Sequence, residues 1–308
     1  MTHALTDASL CIRPAESPDQ QRLAVELLCS EDPPESRQEQ ARRLLAGEPS
    51  GGLFLAWRRD QPVGSVLARG LAGRAGAVWA PRTIADAPPT TAIDLLNQAV
   101  GHLRNSGTVV AQAQLPSNEG EDAERFQMAG FQPFCRLLYL ASASEDFPNE
   151  PPTTRLELEC YSPANHRRLA HIVASTYDET LDCPGMNGLR EIKDVLEGYQ
   201  ATGEFDASRW LIARHEGRDV GCLLLAAHAE DGMWELVYQG IVPAARGQRF
   251  GMDLTRYAQW RTRQAGVAQL VLAVDAANEP ALRIYAAAGF TAWEQRWIYV
   301  NMLAETKP

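Results

Sequence analysis

The stretch W-E-L-V-Y-Q-G-I-V-P-A-A-R-G-Q-R-F-G-M, from Trp234 to Met252, says more about the fold than any other part of the chain. An apolar strand pattern runs through Gly240, Ile241 and Val242 to Pro243, then into a glycine-bearing turn that opens a helix. Phe250, Leu254, Tyr257 and Ala258 form the apolar stripe of that helix, and Gly266 is its expected stop. A strand-loop-helix junction aims unpaired backbone N–H groups and the positive end of the helix dipole at one point, which suits a diphosphate. Gly247 and Gly251 let the backbone approach such a ligand closely. The plain alternative is an ordinary capped turn.

Working outward, the helix is followed by a strand, V-A-Q-L-V-L-A-V-D at 267–275, then by Asn278, Pro280 and A-L-R-I-Y-A-A-A-G-F at 281–290. Upstream, L-I-A-R-H-E-G-R-D-V-G-C-L-L at 211–224 reads as a hairpin. These pieces have counterparts in the first half. F-L-A-W-R-R-D-Q-P-V-G-S-V-L at 54–67 matches the hairpin, and F-Q-M-A-G-F at 126–131 matches Y-A-A-A-G-F at 285–290. S-P-D-Q-Q-R-L-A from Ser17 likewise matches S-P-A-N-H-R-R-L-A from Ser162. The near-constant spacing of the hairpin and A-G-F matches implies one unit used twice: residues 1–143, a Pro-, Ser- and acid-rich linker at 144–154, and residues 155–308. Each half reads as an α+β unit with a mixed, mostly antiparallel central sheet flanked by helices. The second half is longer between its first helix and its hairpin, where Thr180 to Gly188 fall.

Composition sets the outer limits. Apolar residues at 45% and charged residues at 22% leave enough for a core in each half. A net charge of −10 without clustered Lys and Arg argues against nucleic acid as a partner. Met1 to Leu10 has neither a basic lead nor an apolar run, so a cytoplasmic protein without a membrane partner is expected. The six cysteines show no C-x-x-C pair and the six histidines no ligand spacing, so no metal is expected.

On these motifs the chain resembles the GNAT-type N-acetyltransferase superfamily. Its coenzyme A loop, Gln/Arg-x-x-Gly-x-Gly/Ala, is met by Arg246, Gly247, Gln248, Arg249, Phe250 and Gly251. Asn278, Ala281, Tyr285, Gly289 and Phe290 fit its second motif, N-x-x-A-x-x-x-Y-x-x-x-G-F. Arg249 departs from the usual middle glycine: a Cβ there narrows the backbone's approach to phosphate, while the added cation acts in the opposite sense. The resemblance implies two tandem GNAT-type domains and acetyl-CoA as co-substrate. It also implies a cofactor site made of Gly240, Ile241, Val242, the loop from Arg246 to Met252, and Asn278. It makes Tyr285 the acid that protonates the leaving thiolate and Glu235 the base.

The first half lacks this equipment: Val78 to Thr91 contains no glycine, and Phe126 stands where Tyr285 does. It is expected to be non-catalytic. Asp178, Glu179 and Asp182 lie in the added segment and suit a cationic acceptor, although a charge run is more often a solvated face. The sequence thus points to an acyl-CoA-dependent N-acyltransferase. Its acceptor is a small-molecule or peptide amine, and it acts as a monomer or homodimer. The rival is a non-enzymatic acyl-CoA sensor or interaction protein.

Overall fold

The computed structural model describes residues 10–31, 33–45 and 52–303; the N-terminal stretch read for a targeting signal lies outside them, apart from Leu10. Two compact units form, Met1–Pro133 with Ile298–Pro308, and Phe134–Trp297. The first half runs β1 (Leu10–Pro14), α1 (Pro18–Leu28), α2 (Pro34–Leu45), β2 (Leu53–Arg58), β3 (Gln61–Leu71), β4 (Ala75–Val78), β5 (Arg82–Thr83), α3 (Thr91–Asn105), β6 (Val110–Leu115), α4 (Glu121–Met128) and β7 (Gln132–Ala143). The second repeats the order: β8 (Glu157–Cys160), α5 (His166–Thr176), α6 (Ile192–Gln200), β9 (Trp210–His215), β10 (Arg218–His228), β11 (Met233–Ile241), α7 (Phe250–Gln264), β12 (Gln269–Asp275), α8 (Glu279–Ala287) and β13 (Thr291–Met302).

Strand order is β1-β2-β3-β4-β6-β13 in the first unit and β7-β12-β11-β10-β9-β8 in the second. The β4–β6 and β11–β12 pairs are parallel because a helix, α3 or α7, carries the chain back between them. The division by contact differs from the division by repeat. From Phe134 onward β7 belongs to the second unit, antiparallel to β12 from Leu137↔Asp275 to Ala143↔Gln269. From Ile298 onward β13 belongs to the first, beside β6. The start of the stretch read as a linker is also structured: Ser144–Asp146 form a helical turn and Phe147 is buried in the second unit's core.

In the second unit alternate residues of β9 and β10 face opposite sides, as the strand period of two requires. Leu211, Ala213, Leu223 and Leu225 pack with Phe250, Leu254 and Ala258 of α7. Trp210, Ile212, Cys222 and Leu224 pack with Leu169, Ile172 and Val173 of α5 and Leu196 of α6. Fully buried Gln259 ties α7 down, donating from Nε2 to Ser142 Oγ and to the Ala288 carbonyl, both at 2.7 Å. Both helices that precede a motif phenylalanine end at a glycine in the left-handed region, Gly130 at φ 87° and Gly289 at φ 85°.

Candidate active site

The site begins where two strands part. β11 and β12 pair only at Trp234↔Leu270 and Glu235↔Val271. Just beyond, Leu225 faces Leu236 while Leu224 faces Tyr238, so Val237 is the extra residue of a β-bulge. Gly240, three residues further along β11, is needed for a different reason. A Cβ on Gly240 would lie 2.7–2.8 Å from the Thr176 side chain, so only glycine lets β11 run this close to α5. The parted strands open a cleft of about 490 Å³, lined also by the start of α7, by α8 and by the segment after α5.

The turn into α7 is built to present bare amides. Its first helical acceptor bond runs from Asp253 N to Arg249 O at 3.2 Å, and the N–H groups of Gly247 to Met252 meet no acceptor among the described residues. Arg249, the N-cap, sits at φ 71°, a left-handed position that costs a non-glycine residue about 1–2 kcal/mol. Phe250, 1% exposed, anchors the turn by a burial worth about 1.5–3 kcal/mol. Gly251 is pinned by its carbonyl, which accepts from Gln239 Nε2 at 3.0 Å and Thr255 Oγ1 at 2.9 Å. An added Cβ on it would come within 3.0 Å of Ile284.

Of the expected cofactor residues, Gly240, Ile241, Arg246, Gly247, Arg249, Phe250, Gly251 and Asn278 line the cleft. Val242, Gln248 and Met252 do not: Val242 and Met252 pack into the core, and the Gln248 carbonyl accepts from Arg155. The Arg246 guanidinium is committed to main chain. It donates to the carbonyls of Thr176 (3.0 Å), Asp178 (2.7 Å), Glu179 (3.2 Å) and Ile241 (3.2 Å), tying the end of α5 to β11. Asp178 contributes that carbonyl and does not line the cleft, whereas Glu179 does.

Tyr285, on α8, lines the cleft and is buried, its ring 5.5 Å from that of Phe290. Burial first, and the charge of Asp182 second, push its phenol well above the ordinary value, so the proton stays on. Asn278 caps α8 by accepting from Ala281 N at 3.3 Å. Asp182 is exposed as a residue, yet its carboxylate turns inward: Oδ1 accepts the Asp275 N–H at 2.9 Å. Desolvation raises the Asp182 pKa first and the Asp275 charge adds to it, against the hydrogen bonds from the Asp275 N–H and the Asn278 side chain.

Glu235 is placed elsewhere. It lies at the closed end of the β11–β12 pair, is not among the residues lining the cleft, and holds His228 Nε2 at 2.7 Å. Nothing in the sequence marks His228 as its partner. Nor does the sequence announce the cluster formed by Tyr177, Tyr199 and Tyr238, contributed by separate elements.

The Sγ atoms of Cys135 and Cys183 and a carboxylate oxygen of Asp275 lie within 4.8 Å of one another. Their bonding is that of a brace. Asp275 accepts N–H groups from Cys183 (3.0 Å) and Ala277 (2.9 Å), and the contact with Cys135, followed by burial, pushes the Cys183 thiol far up. The brace holds the added segment, with Gly185 seated against the Phe134 ring.

A parallel strand pair that opens at a bulge, a helix start with free amides, and a buried tyrosine thus meet at one cleft. Residues 206–292, in the second unit, match the model of the acetyltransferase (GNAT) domain. A mycothiol acetyltransferase from Thermomonospora curvata is 34% identical over 98 residues, which are 32% of this chain and 33% of that protein. The chain thus matches about a third of the length of that curated relative. Among solved structures, a GCN5-related N-acetyltransferase from Sphaerobacter thermophilus aligns with a TM-score of 0.67 over 97% of both chains at 16% identity. A tandem GNAT protein from the clavulanic acid biosynthesis pathway aligns with a TM-score of 0.53, covering 97% of this chain and 100% of its own, at 15% identity. These likenesses give the fold: two tandem α+β GNAT-type units. No helix among the described residues is long and apolar enough to cross a membrane.

Proposed function

We propose that the second unit transfers an acyl group, acetyl above all, from acyl-coenzyme A to the primary amine of a small acceptor. The observation that carries this reading is the run of acceptor-less N–H groups from Gly247 to Met252 at the cleft that Tyr285 lines. Such a run with the helix dipole behind it suits a diphosphate, and the edge of β11 left unpaired past Glu235 offers main-chain groups to an amide-bearing arm. Bound there, the co-substrate supplies an activated acyl thioester. Tyr285 holds its proton in a desolvated place and donates it to the departing sulfur.

Two features support a first unit without catalytic duty: Phe126 is fully buried against Phe131 and Tyr299, and no glycine occurs between Val78 and Thr91. Calorimetric titration with acetyl-CoA, followed by a thiol-release assay over a panel of amines, tests the reading. Saturable binding with amine-dependent release of thiol is the expected result. Binding without release from any amine would make the protein an acyl-CoA sensor, and no binding would end the proposal.

A further inference from the structure

Beside the cleft lies a smaller cavity of about 160 Å³, and Thr180, Asp182 and Tyr238 line both. Three tyrosines wall the smaller one. Tyr199 stacks on Tyr238 with ring centroids 5.2 Å apart and planes 20° apart, and Tyr177 meets Tyr238 edge-on at 5.8 Å. Their hydroxyls are already satisfied: Tyr177 bonds Tyr199 at 3.0 Å, and Tyr238 bonds Thr176 Oγ1 at 2.7 Å. Asp182 is the one carboxylate common to the two cavities, and the Asp275 N–H fixes one of its oxygens. Glu235, the carboxylate on the strand, lines neither cavity.

We propose that Asp182 receives the acceptor's ammonium group where the two cavities meet and takes its proton, so that the acceptor is a compact primary ammonium compound whose body enters the tyrosine-walled cavity. This rests on the acyl-transfer reading above. The ammonium loses one proton to Asp182, which passes it to solvent. The freed nitrogen pair forms the C–N bond as the C–S bond breaks, and the sulfur takes the Tyr285 proton. Tyr285 is restored by the second proton that the nitrogen sheds, which leaves a neutral amide, a free thiol and one proton released. An aromatic wall beside a carboxylate favours a cation over a neutral or anionic acceptor.

The groups facing Asp182 are Asp275 and Asn278 from β12 and the start of α8, Tyr285 from α8, Tyr177 and Tyr238, and the thiol of Cys183. Arg190 also lines the smaller cavity. Since the enzyme's own carboxylate must be ionised while the amine binds charged, the acid limb of kcat/KM belongs to the protein. It stays at one pH for acceptors of different basicity.

The test uses the full chain saturated with coenzyme A and titrated with n-butylammonium. Asp182→Asn keeps an oxygen for the Asp275 N–H, and its acetyl-CoA affinity stays within about twofold of wild type. It binds n-butylammonium at least tenfold more weakly and loses about 10²-fold or more in kcat/KM with the best amine of the panel. An Asp182→Asn protein with wild-type amine affinity and turnover overturns the proposal. So does an acid limb that tracks the acceptor's own pKa, an acid limb removed by Glu235→Gln, or a wild-type protein that binds acetyl-CoA but no ammonium compound. Failure of wild type to bind acetyl-CoA at all strikes the acyl-transfer reading instead.

Discussion

Gly240→Ala perturbs the point where the opened strand passes the helix before the added segment. The new Cβ would lie 2.7 Å from Thr176 Oγ1 and 2.8 Å from its Cβ and Cγ2, against about 3.5–4.0 Å for an unstrained contact. Thr176 has no cheap escape: it is 3% exposed, and its hydroxyl bonds the Val173 carbonyl and the Tyr238 hydroxyl, both at 2.7 Å. Either β11 or α5 must move by about 1 Å, an overpacking that costs about 1–3 kcal/mol. At about 2–4 °C per kcal/mol for a unit of this size, the melting transition of the second unit falls by about 2–12 °C. Calorimetry and urea titration measure it. Thr176→Ala removes two of the three close atoms, so the double mutant is less destabilised than the sum of the single mutants by about 0.5 kcal/mol or more. A Gly240→Ala protein within about 0.3 kcal/mol of wild type, or strict additivity in the cycle, would refute the close-approach argument.

Tyr285→Phe keeps the ring contact with Phe290 and removes only the proton; acetyl-CoA affinity holds while kcat falls by about 10²-fold or more, read in single-turnover kinetics. Arg249→Gly relieves the left-handed strain and stabilises the unit by about 0.5–1 kcal/mol in urea titration; a matching drop in acetyl-CoA affinity would show that the guanidinium serves the diphosphate. Asp182 has its carboxyl raised by the fold, so its contribution to stability is fully present below the unfolded pKa of about 4 and is lost as pH rises through the folded value. Asp182→Asn therefore raises the melting temperature at pH 7, with the gain vanishing below about pH 4 in a pH series of thermal scans.

Local pattern carried the fold a long way. The repeat, the α+β order and the helix stop at Gly266 all follow from residues that act on their immediate neighbours, and each is met in the structure. The amide-presenting turn was legible for the same reason, because Gly247 and Gly251 serve a backbone path only a few residues long. What sequence could not tell is anything that depends on a partner far along the chain. The need for glycine at Gly240 is visible only once Thr176 is seen against it, and the four carbonyls around the Arg246 guanidinium come from residues that the loop motif does not contain. The exchange of β7 and the end of β13 between units is hidden because a strand's pattern states which face is apolar and not which neighbour it pairs with. The choice between Glu235 and Asp182 is of the same kind. Both are acids in plausible places, and only the folding of the added segment onto Asp275, set by backbone hydrogen bonds between residues some ninety positions apart, brings one of them to the cleft.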